Sequence, residues 1–275
     1  MNLTNSYGIV QGRLSVPPNG ELQWFPQHCW EKEFETAKQL GYDFIEILTE
    51  RTFNSENPFW SAKGRDRLKQ IANDFGLKIY SSCADYIIDH SIFDNERNKV
   101  KDHLLNFLTL SAEIGCKVVV LPFLEESDLN LKTFPKLVPI LKEIASQTSD
   151  LDLVICIESL LDGPNLKYFL EQVNEPKIKC VFDTGNRIIK KRDLAPEILT
   201  LQNWIGHVHV KDKLENGENV LLGTGNVNFK EVFIALNEIE YEGPFVFETT
   251  RGKSPQETSK YQMMLCEFFN AEARR

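Results

Sequence analysis

Four polar side chains stand where the surrounding sequence reads as buried strand: Glu158 in "LVICIES", Asp183 in "KCVFDTGN", His209 in "GHVHVKDK" and Glu248 in "PFVFET". Each belongs to a run of β-branched, aromatic or thiol side chains, and successive strand residues point to opposite faces. In "GHVHVKDK", Val208 and Val210 share one face while His207, His209 and Lys211 share the other. The same parity groups Glu158 with Val154 and Cys156, Asp183 with Val181, Glu248 with Val246, and Glu46 with Phe44. Three carboxylates gathered in a partly dry site repel one another, so each either holds a raised pKa or needs a cation. Carboxylate oxygens with one imidazole nitrogen suit a single divalent ion of the Mg, Mn, Co or Zn kind. Strand ends hydrogen-bonded to loop backbone would explain any one of the four, but would explain less well why all four end strands in the same way.

For these groups to meet, the strand ends must converge. Strand-like runs occur at 7–12, 43–48, 77–83, 116–122, 151–158, 178–183, 204–211 and 244–249. Each is followed by apolar residues at helical spacing. The first helix is expected to begin near Gln27 and to bury Trp30, Phe34, Ala37 and Leu40. Further helical patterns surround Leu68, Ile71 and Phe75, span Val100 to Ile114, and cover 164–173, 193–202, 228–239 and the tail "SKYQMMLCEFF". In 131–148, Pro135 and Pro139 are expected to constrain the first turns or to break the helix in two.

Eight βα units in 275 residues match an α/β fold of the (β/α)8 TIM-barrel type, for which roughly 250 residues is typical. We read residues 1–275 as one such domain. In that architecture the C-terminal strand ends form one mouth. The spacings from Glu158 to Asp183 and from Asp183 to His209, 25 and 26 residues, each match one βα unit, and 39 separate His209 from Glu248. An open doubly wound sheet would show fewer units and a glycine-rich first turn; "GTGN" at 223–226 lacks the GxGxxG spacing.

The formal charge of −9 disfavours a nonspecific nucleic-acid surface. No run approaches the ~20 apolar residues of a membrane span, so no membrane partner is expected. The opening "MNLTNSYGIVQGR" has neither the basic flank nor the apolar stretch of a secretory signal. Six scattered cysteines without a CxxC pair fit a reducing, cytoplasmic setting.

At these residues the chain is similar to the xylose-isomerase-like superfamily of (β/α)8 barrels, along essentially its whole length. The opening "YGIVQGRLS" and the stretch through Glu46 resemble its sugar phosphate isomerase or epimerase branch. The later markers are "IES", "DTGN", "HVHVKD", "LGTGNVNF" and "FET". The resemblance implies that Glu158, Asp183, His209 and Glu248 are metal ligands, that His207 supports them, and that Glu158 and Glu248 form an acid–base pair. It implies a metal-dependent isomerase or epimerase of a ketose, aldose or sugar phosphate, working through a metal-stabilised enediolate. The ketose epimerases carry a histidine three residues after the ligand aspartate and an arginine six beyond the ligand histidine. This chain has Asn186 and Glu215 there, which points away from a free ketohexose 3-epimerase. An inosose-dehydratase-like lyase acting on a keto-cyclitol would use the same first proton abstraction, and a sugar-binding barrel without catalysis is a third possibility. Phosphodiester cleavage of the endonuclease IV type needs a multinuclear, histidine-rich site, and the chain has five histidines in all.

Other side chains are candidates for substrate contact. Arg13, after the first strand, is a candidate for an anionic group; Arg251 and Lys253, after the last, could hold a phosphate or form an exposed pair. Glu46 could orient hydroxyls or pair with a base. Asn186 takes the place of the substrate-holding histidine, and His207 could be a core residue or a support. Lys211 could touch substrate or neutralise Glu248. Trp60 and Tyr86 could wall a sugar ring, and Asp85 and His90 are open in the same way. The apolar final helix could support a homodimer.

Overall fold

Strands buried on both faces need helices on one side and their own closure on the other. The computed structural model describes residues 6–18 and 20–274 and shows that closure; the first five residues of the opening stretch lie outside it. Eight parallel strands form the barrel: β1 (Tyr7–Val10), β2 (Phe44–Thr49), β3 (Lys78–Ala84), β4 (Val118–Pro122), β5 (Val154–Glu158), β6 (Ile178–Asp183), β7 (Ile205–Val210) and β8 (Phe245–Phe247). They pair in chain order, and β1 closes on β8 with Tyr7 opposite Phe245. All eight expected strands are present, with ends shifted by a few residues. The expected fifth strand, for example, starts at Val154, and Asp152 lies before it in an exposed pair with Lys117.

Parity sorts the core as the sequence suggests. Val10, Phe44 and Val246 pack together inside the barrel, and Leu48, Cys83, Val118, Val120, Cys156 and Val181 form a second interior group. The alternate residues, such as Ile45, Ile155, Phe182, Val208 and Phe247, face the helices and meet Phe34, Leu68, Phe107, Leu141 and Phe169. A fully buried phenylalanine contributes roughly 2–3 kcal/mol from desolvation alone, so this outer layer holds the staves in place.

The main covering helices are Trp30–Leu40, Ala62–Asp74, Arg97–Glu113, Phe134–Gln147, Gly163–Val173, Leu194–Leu201, Phe229–Glu238 and Pro255–Glu272. The first starts after the expected Gln27, because residues 25–29 form tight backbone turns instead. Phe134–Gln147 is one helix despite its prolines. Pro135 sits in the first turn, where no intrahelical N–H bond is needed. Pro139 removes one bond, but burial of Leu137, Ile140, Leu141 and Ile144 holds the helix together. Among the described residues, no helix is long and apolar enough to cross a membrane.

One feature was not foreseen. Asp212–Lys213 and Asn219–Val220 form a small antiparallel hairpin directly after β7. Its anchor is Asp212, which accepts backbone N–H bonds from Gly223 and Gly225 at 2.9 Å and from Val227 at 3.1 Å. The "GTGN" segment therefore wraps a carboxylate. A Cβ at Gly225 would lie 2.2 Å from Asp212 Oδ1, which explains the second glycine.

At the opposite end of the barrel the Phe44 ring covers Gly8, and a Cβ there would meet it at 2.2 Å. Gly8→Ala should lower stability by about 1–3 kcal/mol through overpacking, read as a fall in the urea midpoint with an unchanged slope.

Candidate metal centre and active site

Closure places the four candidate ligands on consecutive staves: Glu158 on β5, Asp183 on β6, His209 on β7 and Glu248 one residue past β8. Asp183 and His209 are directly opposite each other across β6 and β7. Glu248 stays in register through its backbone N–H, which donates to Val210 O at 3.2 Å. Ligand atoms of Asp183, His209 and Glu248 lie within 4.8 Å of one another. Glu158 is not part of that trio; it lines, with His209 and Glu248, a cavity of about 220 Å³.

Glu46 fixes the orientation of the imidazole. It is fully buried on β2, and its Oε1 lies 3.0 Å from His209 Nε2. His207 Nε2 lies 2.8 Å from its Oε2, and Ser81 Oγ donates to that same oxygen at 2.6 Å. Burial alone would raise the Glu46 pKa, but the two histidines outweigh it and hold the carboxyl well below the usual range. Nδ1 of His209 faces Glu248 Oε2 at 3.3 Å and Asp183 Oδ2 at 3.9 Å. Burial alone would lower the His209 pKa, but Glu46 and Glu248 hold it well above the ordinary value. A neutral ring with Nε2–H on Glu46 would turn a lone pair toward both carboxylates. A lone pair facing two carboxylates calls for a cation between them. His209 Nδ1 is buried without a hydrogen-bond partner and Asp183 Oδ2 has only the Lys211 ammonium beside it, so the donor set fits a divalent ion.

Two cations already offset this charge. Lys211 Nζ lies 2.9 Å from Asp183 Oδ2 and 2.5 Å from Glu248 Oε2. Arg13 reaches the other oxygen of Glu248 at 3.2 Å and also donates to Thr249 O and Gln23 Oε1. Burial would raise the Glu248 pKa, but Lys211, His209 and Arg13 together hold it well below the ordinary value. Glu158 receives a neutral donor instead, Asn186 Nδ2 at 2.6 Å. Burial first, and then Asp183, push Glu158 up to about 7. Two carboxylates with divergent pKa values at one mouth are suited to exchanging protons near neutrality.

The remaining expectations divide. Lys211 forms the buried ion pair with Glu248 rather than being free for substrate. Arg251 does not line that cavity: its guanidinium donates to Gly12 O at 2.7 Å and Glu21 O at 2.9 Å, with Nη2 buried and unpartnered. Trp60 does not wall the mouth; it packs against Phe53, Phe59, His103 and Phe107 on the outer layer. Tyr86 is stacked between His90 and His103. His207 is sealed against Glu46, and Glu46 is engaged by the two histidines and the Ser81 hydroxyl.

Sequence reasoning missed Gln23, which joins Arg13 to Asp85. It also missed Glu33, whose carboxylate accepts the backbone N–H groups of Gly12 at 2.6 Å and Leu14 at 3.2 Å and so brackets Arg13. No local signal reveals either one, because their partners come from distant loops. A second cavity of about 700 Å³ adjoins the first and shares Leu22, Gln23, Arg51 and Asp85 with it.

Asp85 is buried at the end of β3, and burial above all, with Glu248 adding, pushes its pKa from 3.8 up to about 6. A raised carboxyl pKa means the folded state binds more protons, so stability falls as pH rises from about 4 to about 6. Asp85→Asn should flatten that slope and raise stability at pH 7 by on the order of 2 kcal/mol, measured by urea unfolding across pH 4–8.

The geometry has counterparts among known proteins. The chain is 27% identical over 239 residues to L-ribulose-5-phosphate 3-epimerase UlaE of Salmonella heidelberg, covering 80% of this chain and 82% of that one. The Escherichia coli K12 counterpart is 26% identical over the same length. Among solved structures, D-psicose 3-epimerase from Clostridium cellulolyticum H10 superposes with a TM-score of 0.77 at 16% identity, over 96% of this chain and 99% of that one. An L-ribulose 3-epimerase gives 0.79 at 18%, over 98% and 96%. The sequence model of the xylose isomerase-like TIM barrel matches residues 34–267, and the chain belongs to that family.

Proposed function

We propose that the protein is a divalent-metal-dependent epimerase acting on a ketose phosphate. The observation that carries this reading is the buried trio Asp183, His209 and Glu248, with Glu158 beside it. The likeness to relatives named L-ribulose-5-phosphate 3-epimerase supports the substrate class. Asp183, His209, Glu248 and Glu158 would hold one ion. The ion would stabilise negative charge on a substrate carbonyl and its neighbouring hydroxyl as a proton leaves the adjacent carbon.

The chain's own groups do the rest. Glu158, held by a neutral amide rather than by a cationic side chain, takes up or returns a proton. Glu248 stands three staves away along the barrel order, so a substrate carbon between them meets one carboxylate on each face. Removal at one face and return at the other inverts that carbon. Asn186 holds Glu158 through its amide, and Lys211 and Arg13 hold Glu248. Burial of Glu158, Glu248, Lys211 and Arg13 strengthens the electrostatics and limits side reactions. All six cysteines are free and five are buried, which suits a reducing compartment such as the cytoplasm.

Glu158→Gln and Glu248→Gln should each cut turnover of ketose phosphates by at least about 1000-fold while leaving the circular dichroism unchanged. Full turnover in either variant would refute the acid–base assignment. Glu46→Gln should weaken metal affinity about 10- to 100-fold, because the His209 ring loses its charged acceptor. Metal content after dialysis against graded chelator measures this directly.

A further inference from the structure

We propose that Lys213, on the hairpin after β7, is the residue that receives the phosphate of a phosphorylated substrate. The inference rests on the epimerase reading above and deepens it by naming which end of the mouth binds the anion. It follows first by elimination among the cations around the mouth. Arg13 is engaged by Glu248, Thr249 O and Gln23. Lys211 lies between Asp183 and Glu248. Arg51 donates to Asp89 and Glu125. Arg251 lines neither cavity, its Nε and Nη1 being turned to two loop carbonyls and its Nη2 buried without a partner, and Lys253 is exposed and lines neither cavity.

Lys213 is different. It lines the same cavity as Glu158, Asn186, His209 and Glu248, yet it forms no ion pair among the described residues. It is half-buried, and burial together with the neighbouring Lys211 holds its pKa below the ordinary lysine value. An ammonium partly withdrawn from water beside a second ammonium is unfavourable unless an anion joins it. A dianionic phosphate meets that need better than a sugar hydroxyl, which brings no charge. The carboxylate cluster also repels phosphate from the catalytic end, so the phosphate end of the substrate lies toward Lys213. Asp183, Glu248 and Glu158 influence that lysine only from a distance, and no carboxylate among the described residues contacts it in an ion pair.

The position is also held in place. Asp212, next in the chain, is locked by three backbone N–H groups, and Lys213 O accepts from Asn226 N at 2.9 Å. The hairpin therefore presents Lys213 from a fixed backbone, as a binding group requires.

The first test does not depend on turnover. Inorganic phosphate is titrated calorimetrically into the wild type, Lys213→Met and Lys213→Arg. The wild type should bind it, Lys213→Met should bind it about 10- to 100-fold more weakly, and Lys213→Arg should keep most of the affinity. Absence of binding in the wild type, or affinity in Lys213→Met within twofold of it, overturns the assignment. The second test compares kcat/KM for a ketose phosphate and the unphosphorylated ketose. In Lys213→Met the ratio of the two should fall by the same factor; an unchanged ratio overturns the assignment. A wild type that binds phosphate but turns over neither sugar would refute the epimerase reading and leave the phosphate site intact.

Discussion

The organising constraint is the cost of keeping four carboxylates nearly dry at one end of a barrel. Glu46, Glu158, Asp183 and Glu248 are all less than a tenth exposed. Charges so close cannot all ionise without partners. The barrel supplies those partners unequally. Glu46 takes two imidazoles and a hydroxyl, Glu248 takes a lysine, an arginine and an imidazole, and Asp183 shares that lysine. Glu158 receives only a neutral amide. The asymmetry between Glu158 and Glu248 follows from this distribution and not from any difference in residue type.

Support for these groups reaches outward through the backbone. Arg13 can face Glu248 because Glu33, on the first helix, holds the peptide N–H on either side of it. Burial raises the Glu33 pKa, and the two peptide N–H groups work against that rise. Arg251 closes the same loop from the other side through Gly12 O. A buried acid and a buried base that touch no cavity atom of the catalytic group thus define where that group sits.

Much of this arrangement was legible in the sequence because strand parity is a local property. A polar residue breaking an apolar alternation at a strand end marks the mouth, and this gave Glu158, Asp183, His209 and Glu248 without any knowledge of contacts. The parity of "GHVHVKDK" even runs on to Lys213, although β7 ends at Val210 and the hairpin carries the last two residues. Loop-borne contacts were not legible. Arg13 meets Glu248 across 235 positions, and nothing near Trp60 shows that its ring turns toward Phe107 and away from the mouth. Pro139 leaves the helix whole for a related reason: a local rule against helix continuity is overruled by the buried face formed by Leu137, Ile140 and Leu141 around it.

The hairpin that follows β7 has a further implication. Its fastening is internal, a single aspartate wrapped by its own glycine-bearing turn, and it belongs to none of the barrel staves. Such a ribbon is a detachable accessory: its tip can be lengthened, recharged or exchanged over evolutionary time while the eight-stave frame and its proton-handling groups keep their positions. Divergence in substrate preference within this lineage would then concentrate in a short peptide outside the frame.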